Sequence, residues 1–226
     1  MKNKFLAPDL KFRGYKSLLY MLVITLLAFP VLEGFTLIRI ITGLLILGVL
    51  LFAVRVVADH RNQVLLTGIM AAAGVIGSWG ELLGFGDWLK GLGYFGFGLF
   101  FLTVGGIIMK NIMLNVRHVT AHLIYGAINL YLLVGLSFAF FIALMEFIVP
   151  GSFSGLQKLS TGGDPMATYI YFSFVTMTTL GYGDITPLTG QAGTLVYIEA
   201  IFGQLYIAIM IARLVGLYVA QDASQD

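Results

Sequence analysis

Residues 162–184 read Gly-Gly-Asp-Pro-Met-Ala-Thr-Tyr-Ile-Tyr-Phe-Ser-Phe-Val-Thr-Met-Thr-Thr-Leu-Gly-Tyr-Gly-Asp. Gly162-Gly163 breaks the preceding chain, Asp164 is a good N-cap and Pro165 a good first helical residue, so the spacing predicts a short helix over 165–177. Thirteen residues at 1.5 Å each reach only about 20 Å, well short of the ~30 Å hydrocarbon core of a bilayer. Thr178 to Asp184 follows, and the chain must then return outward to begin another apolar helix. Such a re-entrant segment is tolerated at membrane depth only where protein buries it or it lines water.

A membrane setting follows from what surrounds this stretch. Of 226 residues, 59% are hydrophobic and 11% charged, against roughly 25% charged in a soluble domain, and the mean hydropathy is +0.95. Runs of about 20 apolar residues mark spanning helices, and six are expected: Ser17–Leu32, Ile38–Val57, Gln63–Trp79, Leu92–Met109, Val119–Val149 and Ala192–Ala220. An even number puts both termini on one side. Lys2, Lys4, Lys11, Arg13, Lys16, Arg55, Arg61, Lys110, Arg117 and Arg213 fall on that side, and only Arg39, Lys90 and Lys158 fall opposite. By the positive-inside rule both termini are cytoplasmic. Phe5 to Lys16 mixes Phe and Leu with Lys and Arg, which suits either a segment lying along the interface or a solvated tail. The absence of cysteine excludes disulfides, thiolate metal sites and cysteine nucleophiles. No soluble ligand-binding domain is expected within this chain.

The residue types at 178–184 suit cation coordination. Gly181 and Gly183 permit backbone conformations closed to other residues, so consecutive carbonyls can point the same way. A ring of such oxygens replaces the hydration shell of a cation. Thr179 adds a hydroxyl at the inner end, and the C-terminus of the short helix presents its negative dipole end to the approaching ion. One chain supplies a quarter of the ring, which implies fourfold assembly.

At these residues the sequence resembles the potassium channels of the voltage-gated-like superfamily. Thr179-Leu180-Gly181-Tyr182-Gly183 stands where the family has its selectivity filter, with Asp184 after it; Val175 to Thr179 matches the pore helix and Asp184-Ile185-Thr186-Pro187 the exit. The resemblance runs from about Tyr171 to Leu217. It implies an all-α membrane protein with six transmembrane helices, a re-entrant pore helix and filter between helices 5 and 6, and a homotetramer. It also implies passive K+ conduction across a plasma membrane, as in short bacterial six-span channels. Backbone oxygens of Thr179, Leu180, Gly181 and Tyr182 and the Thr179 hydroxyl would hold K+, with Gly183 completing the filter. Leu180 departs from the usual Val or Ile, and Tyr171 and Phe172 occupy the places of a tryptophan pair that often braces the filter; with Val175, Thr178 and Asp184 they form its expected support. The chain then divides into a cytoplasmic segment over 1–16, a four-helix voltage-sensor-like unit over 17–118, a pore unit over 119–220 and a short tail over 221–226. The expected partners are the lipid bilayer and further copies of the chain, with no nucleic acid; K+ is the permeant ion and no cofactor is expected.

Gly203 lies 22 residues after Gly181, where the family commonly carries a gating hinge; close helix packing is the alternative. If the hinge alignment holds, Gln204 faces the cavity, with Ala208, Ile211 and Val215 on or near the same face. Ala208 leaves the cavity wide, whereas Ile211 and Val215 suit a constriction that gates by dewetting. Arg213, off that face, is expected to snorkel to the cytoplasmic interface. Glu199 has two open readings: a cavity carboxylate that attracts cations or senses pH, or a group bonded to a hydroxyl behind the filter, such as Thr178. Glu146 is expected to brace the loop after the fifth helix.

Leu92 to Met109 contains no Arg or Lys. Each charge moved through 100 mV is worth about 2.3 kcal/mol and steep gating needs several, so steep voltage gating is not expected. Gly91, Gly93, Gly96, Gly98 and the Ala71 to Gly77 stretch read as close-packing surfaces. Arg55, Asp59, His60 and Arg61 suit an ion pair at a helix end. His118 and His122 stand at i, i+4 without a third ligand nearby, which leaves a solvated pair, a metal site or a pH sensor. Gly181-Tyr182-Gly183-Asp184 also fits the Gly-x-Gly-Asp pattern of intramembrane aspartyl proteases, but a second aspartate within a span is missing: the others, at 9, 59, 87, 164, 222 and 226, lie at helix ends, in loops or in the tail. No enzyme is expected. A nonselective cation channel remains the alternative.

Overall fold

A computed structural model describes residues 8–31, 46–53, 61–82, 84–115, 119–156 and 165–223. The elements in chain order are α1 (Pro8–Val31), helical residues 46–53 (α2), α3 (Arg61–Leu82), α4 (Trp88–Asn115), α5 (Ala121–Ile148), β1 (Phe153–Ser154), α6 (Met166–Met177), β2 (Thr186–Pro187) and α7 (Gly190–Asp222). Among the described residues, four helices are long and apolar enough to cross a membrane: Arg61–Gly80, Trp88–Leu114, Ala121–Ile148 and Gly190–Asp222. The apolar stretch of α1, Gly14–Ala28, is shorter than these. Of the expected second span, only 46–53 is described, with Arg55, Asp59 and His60 outside the described residues.

The first helix starts at Pro8 and runs without a break through Lys16 into the apolar stretch Gly14–Ala28. Proline fits the first turn of a helix, where its missing N–H has no partner to lose, and only Gly14 interrupts the good helix formers after it.

Packing is centred on α5, which contacts α1, α4, α6 and α7. Its leucines and Ile142 bury against Phe100 and Phe101 of α4 and Met177 at the foot of α6. The buried Asn129 of α5 donates to the carbonyl of Tyr15 at 2.7 Å, tying α1 in. Ser137 donates to the carbonyl of Gly98 at 2.9 Å, tying α5 to α4. On the other side of α4, a Cβ at Gly77 or Gly96 would collide with the backbone of the facing helix. The glycines therefore serve close approach between α3 and α4, as their spacing suggests.

The outer loop carries a two-strand pair that residue periodicity does not reveal. β1 and β2 run antiparallel, with Phe153 opposite Pro187 and Ser154 opposite Thr186. The two hydroxyls of Ser154 and Thr186 lie 2.6 Å apart, and Leu188 N–H donates to the Ser152 carbonyl at 2.7 Å. Pro187 is tolerated because an edge position needs no second N–H. The pair fastens the end of α5 to the chain leaving residue 184.

Candidate ion-binding site

The short helix α6 falls where its sequence places it, within one residue. Pro165 occupies the cap with no side-chain bond, while Asp164, expected to cap, lies outside the described residues. Gly135 lets α6 sit close on α5, since a Cβ there would strike the Phe174 ring. At the other end, the Thr178 hydroxyl and amide both donate to the Phe174 carbonyl, at 2.6 and 3.0 Å. Thr179 N–H donates to Thr176 at 2.9 Å, and the amides of Leu180 and Gly181 both donate to Val175, at 3.0 and 3.3 Å. The helix end is thus capped by the chain that follows it.

This capping decides what is left over. The amides of residues 178–181 point back at α6, and among the described residues no carbonyl from Thr179 to Tyr182 accepts a hydrogen bond. Thr179, Gly181 and Gly183 have φ of 60°, 56° and 75°, whereas Leu180 and Tyr182 between them stay on the ordinary side. Alternating the hand of successive residues, with glycine at two of the left-handed positions, lets successive carbonyls point the same way. Two of the three left-handed positions are glycines, for which this conformation carries no Cβ penalty. Thr179 is the exception: a β-branched residue at positive φ is strained, at a cost of about 1–2 kcal/mol. Strain held in place by its surroundings is the mark of a position whose geometry matters.

The surroundings are specific. The Thr179 hydroxyl donates to the Thr178 carbonyl at 2.7 Å and accepts from Gln204 Nε2 at 3.2 Å, so α7 reaches the inner end of the row. At the outer end the Tyr171 hydroxyl donates to Asp184 Oδ2 at 2.6 Å, and Ile185 N–H donates to Oδ1 at 3.0 Å. The bond to Asp184 pushes the Tyr171 phenol up to about 12. Tyr171 is thus tied to Asp184, two residues beyond Tyr182, whereas Phe172 turns away into the core, edge-on to Phe153 with ring centroids 5.6 Å apart. The two adjacent aromatic residues therefore take different partners, one the chain after the carbonyl row and the other β1. Glu146 accepts from Gly151 N–H at 2.7 Å and Phe153 N–H at 3.2 Å, bracing the loop as expected.

On α7, Gln204, Ala208, Ile211 and Val215 are exposed and share one face, while Gly203, Tyr206 and Met210 are buried. A Cβ at Gly203 would collide with the Met177 carbonyl, and α7 is continuous α-helix through it. Gly203 thus permits the close approach of α7 to the foot of α6, its packing reading. Glu199 does not reach toward the exposed face: it is completely buried and bonded to Ser173, not Thr178, whose hydroxyl turns back to Phe174. Arg213 turns to the end of α4. Its guanidinium donates to the carbonyls of Ile112 and Met113 at 2.7 and 3.0 Å, in the last turns of α4. His122 lies against the Tyr15 ring, centroids 4.4 Å apart, with His118 outside the described residues. No group of three metal-ligating side chains occurs among the described residues.

Two contributors escaped the sequence reading. Ser173 joins α6 to α5 and α7, and Tyr131 donates to the Met177 carbonyl at 3.4 Å. The only signal for Ser173 is a hydroxyl on the buried side of an apolar helix, where a partner is obligatory.

Residues 128–220 match a family described as ion channel. The matched stretch opens in the first third of α5 and closes near the end of α7, so it contains α6 and the carbonyl row. No curated protein and no solved structure matches the chain.

Proposed function

We propose that four copies of this chain assemble around a common axis as a K+-selective channel, with Thr179, Leu180, Gly181 and Tyr182 coordinating the permeant ion. The observation that carries this reading is the row of carbonyls from Thr179 to Tyr182, whose neighbouring amides are consumed by α6 while the carbonyls themselves accept nothing. Acceptors left over in a segment of alternating handedness suit a desolvated cation. One chain offers them on one side only, so closure of the site needs symmetry-related copies. The match of residues 128–220 to an ion-channel family supports the same assignment.

In this reading α5, α6 and α7 form the pore unit over 119–220, and α1 to α4 form a scaffold. Gln204 and Ala208 line the inner cavity, and Ile211 and Val215 make the apolar constriction below it. The protein sits in the plasma membrane with both termini cytoplasmic. Transport is passive, and voltage does not gate it steeply, because no Lys or Arg lies between Lys90 and Lys110 of α4.

The test is the reversal potential of the purified protein in a planar bilayer under a KCl to NaCl gradient, recorded at both voltage signs. Reversal near the K+ equilibrium potential with a nearly ohmic current is the expected result. Reversal near zero would replace it with a nonselective cation channel, and no current from a correctly inserted tetramer would remove the channel reading.

A further inference from the structure

Ser173 sits between two acceptors. Its Oγ lies 2.7 Å from the Gly135 carbonyl of α5 and in hydrogen-bond contact with Glu199 Oε1 of α7. All three groups are buried. A serine hydroxyl has one proton and two lone pairs, so it cannot donate fully to both. An ionised carboxylate supplies no second proton. It would leave Oε1 and the Gly135 carbonyl competing for one donor, and the other oxygen, Oε2, has no partner at all among the described residues.

We infer that Glu199 is a neutral carboxylic acid which donates its proton to Ser173, while Ser173 donates onward to the Gly135 carbonyl, making a directed three-helix relay that positions α6. Every contact then has one donor and one acceptor, and the group left unpartnered is a carbonyl-type oxygen in place of half a charge. A buried carboxylate without a counter-ion is far more costly than an unpaired neutral acceptor.

Among the described residues no neighbour supplies the missing counter-charge. α6 contains no acidic or basic residue in Met166–Met177. The titratable side chain of α5 close enough to sense a charge on Glu199 is Tyr131, whose hydroxyl is turned to the Met177 carbonyl. The remaining titratable residues of α5, His122, Tyr125 and Glu146, are 13, 10 and 11 residues from Gly135, roughly 15–20 Å along the helix. Arg213 of α7 is 14 residues on, roughly 21 Å away, and is engaged with α4. Glu199 is thus a positioning residue. It does not touch the ion; it fixes Ser173, the residue of α6 immediately before Phe174, Val175 and Thr176, whose carbonyls anchor the amides of residues 178–181.

The assignment of the proton stands without the channel reading, and its consequence for ion selectivity rests on that reading. Infrared spectroscopy of the purified full chain in lipid at neutral pH is expected to contain a protonated-carboxyl stretch that is missing in Glu199→Gln and shifts to higher frequency in Ser173→Ala, where the acid loses its acceptor. In bilayer recordings Glu199→Gln, whose amide can donate to Ser173 in the same way, keeps wild-type selectivity. Glu199→Ala raises Na+ permeability relative to K+ by roughly tenfold, as expected for losing one buried bond per subunit. A wild-type spectrum unchanged by Glu199→Gln overturns the assignment whether or not Glu199→Ala assembles. Glu199→Gln as damaging as Glu199→Ala overturns the positioning role. A Glu199 band with no selective current from the wild type supports the proton and removes the channel reading instead.

Discussion

Between α3 and α4 the helices meet backbone to backbone, through Gly77 against Gly93 and Gly96 against Gly74, whereas α5, α6 and α7 meet through oriented polar groups. Tyr171 with Asp184, Gln204 with Thr179, Ser173 with Gly135 and Glu199, Tyr131 with Met177, and Tyr206 with the Ala127 carbonyl at 2.7 Å all belong to the second region. In lipid, apolar burial gives helices little reason to associate, and close contact or hydrogen bonding must do it. The first region relies on close contact, supplemented by one weak directional bond from the Thr103 hydroxyl of α4 to Met70 Sδ of α3 at 3.3 Å, and so fixes distance more firmly than rotation. The second uses directional bonds, which fix individual atoms. That difference fits a scaffold beside a site whose carbonyls must be aimed.

The comparison is broken most severely at the carbonyl row. In Gly181→Ala a Cβ is forced to φ 56°, costing about 1–2 kcal/mol in each copy and tilting the peptide whose carbonyl is proposed to bind the ion. We expect K+ current to be lost by roughly 100-fold or more, with insertion and assembly intact, as read by bilayer recording beside size-exclusion chromatography. Undiminished selective current would refute the filter assignment.

At Gly77 the expected damage is of the opposite kind. Gly77→Val drives side-chain atoms into the backbone at Gly93 and should destabilise the α3–α4 contact by about 1–3 kcal/mol. The thermal transition in detergent should fall, while the reversal potential of whatever protein inserts stays that of the wild type. A change in reversal potential would mean that the two regions are not separable.

Tyr171→Phe sharpens the contrast by removing one oxygen. It deletes the bond to Asp184 and leaves the aromatic packing, so we expect K+ over Na+ selectivity to fall several-fold without a change in assembly. The pH dependence of this brace has a definite sign. A phenol pushed up from its ordinary value near 10 to about 12 contributes its stabilisation in full below pH 10 and loses it as pH rises through about 12. Between pH 6 and 9 the brace is therefore fully present and adds no pH dependence of its own, so the reversal potentials of wild type and Tyr171→Phe should differ by a constant amount and respond to pH in parallel across that range.

How far the sequence speaks depends on whether a contact is local. The short helix at 166–177, the long helices α3, α4, α5 and α7, the bracing by Glu146 and the glycine-mediated packing were all legible, because each follows from residues close in the chain. Glu199 and Arg213 were legible as unusual but not as to partner. Which hydroxyl Glu199 meets depends on the rotation of α7 against α6, set by the Gly203 contact with Met177. Tyr171 was legible only as the occupant of a bracing position; that its hydroxyl reaches Asp184 is a matter of three dimensions. The pair of two-residue strands is too short to leave any period.

Arg213 gives the mildest and most informative test, because it makes a polar contact that crosses between the two regions far from the carbonyl row, in addition to the Ser137 bond to Gly98. The last turns of a helix carry carbonyls without N–H partners, and a cation there is favourable for both hydrogen bonding and the helix dipole. Arg213 of α7 supplies that cation to α4 through Ile112 and Met113, and Gln221 further along accepts from Val119 N–H at 3.3 Å. The half of α7 that bears Ile211 and Val215 is thereby tied to α4, whereas the carbonyl row is tied to α6. Arg213→Ala removes hydrogen bonds from a charged group, worth about 1.5–3 kcal/mol, at a point remote from the carbonyl row. The expected outcome is a shift in single-channel open probability of roughly tenfold with selectivity unchanged. Arg213→Lys should recover part of it, since an ammonium reaches one carbonyl well but lacks the planar fork that serves two. A loss of selectivity in Arg213→Ala would show that the scaffold helps to aim the carbonyls, and the division between contact packing and directional bonding would no longer coincide with a division of labour.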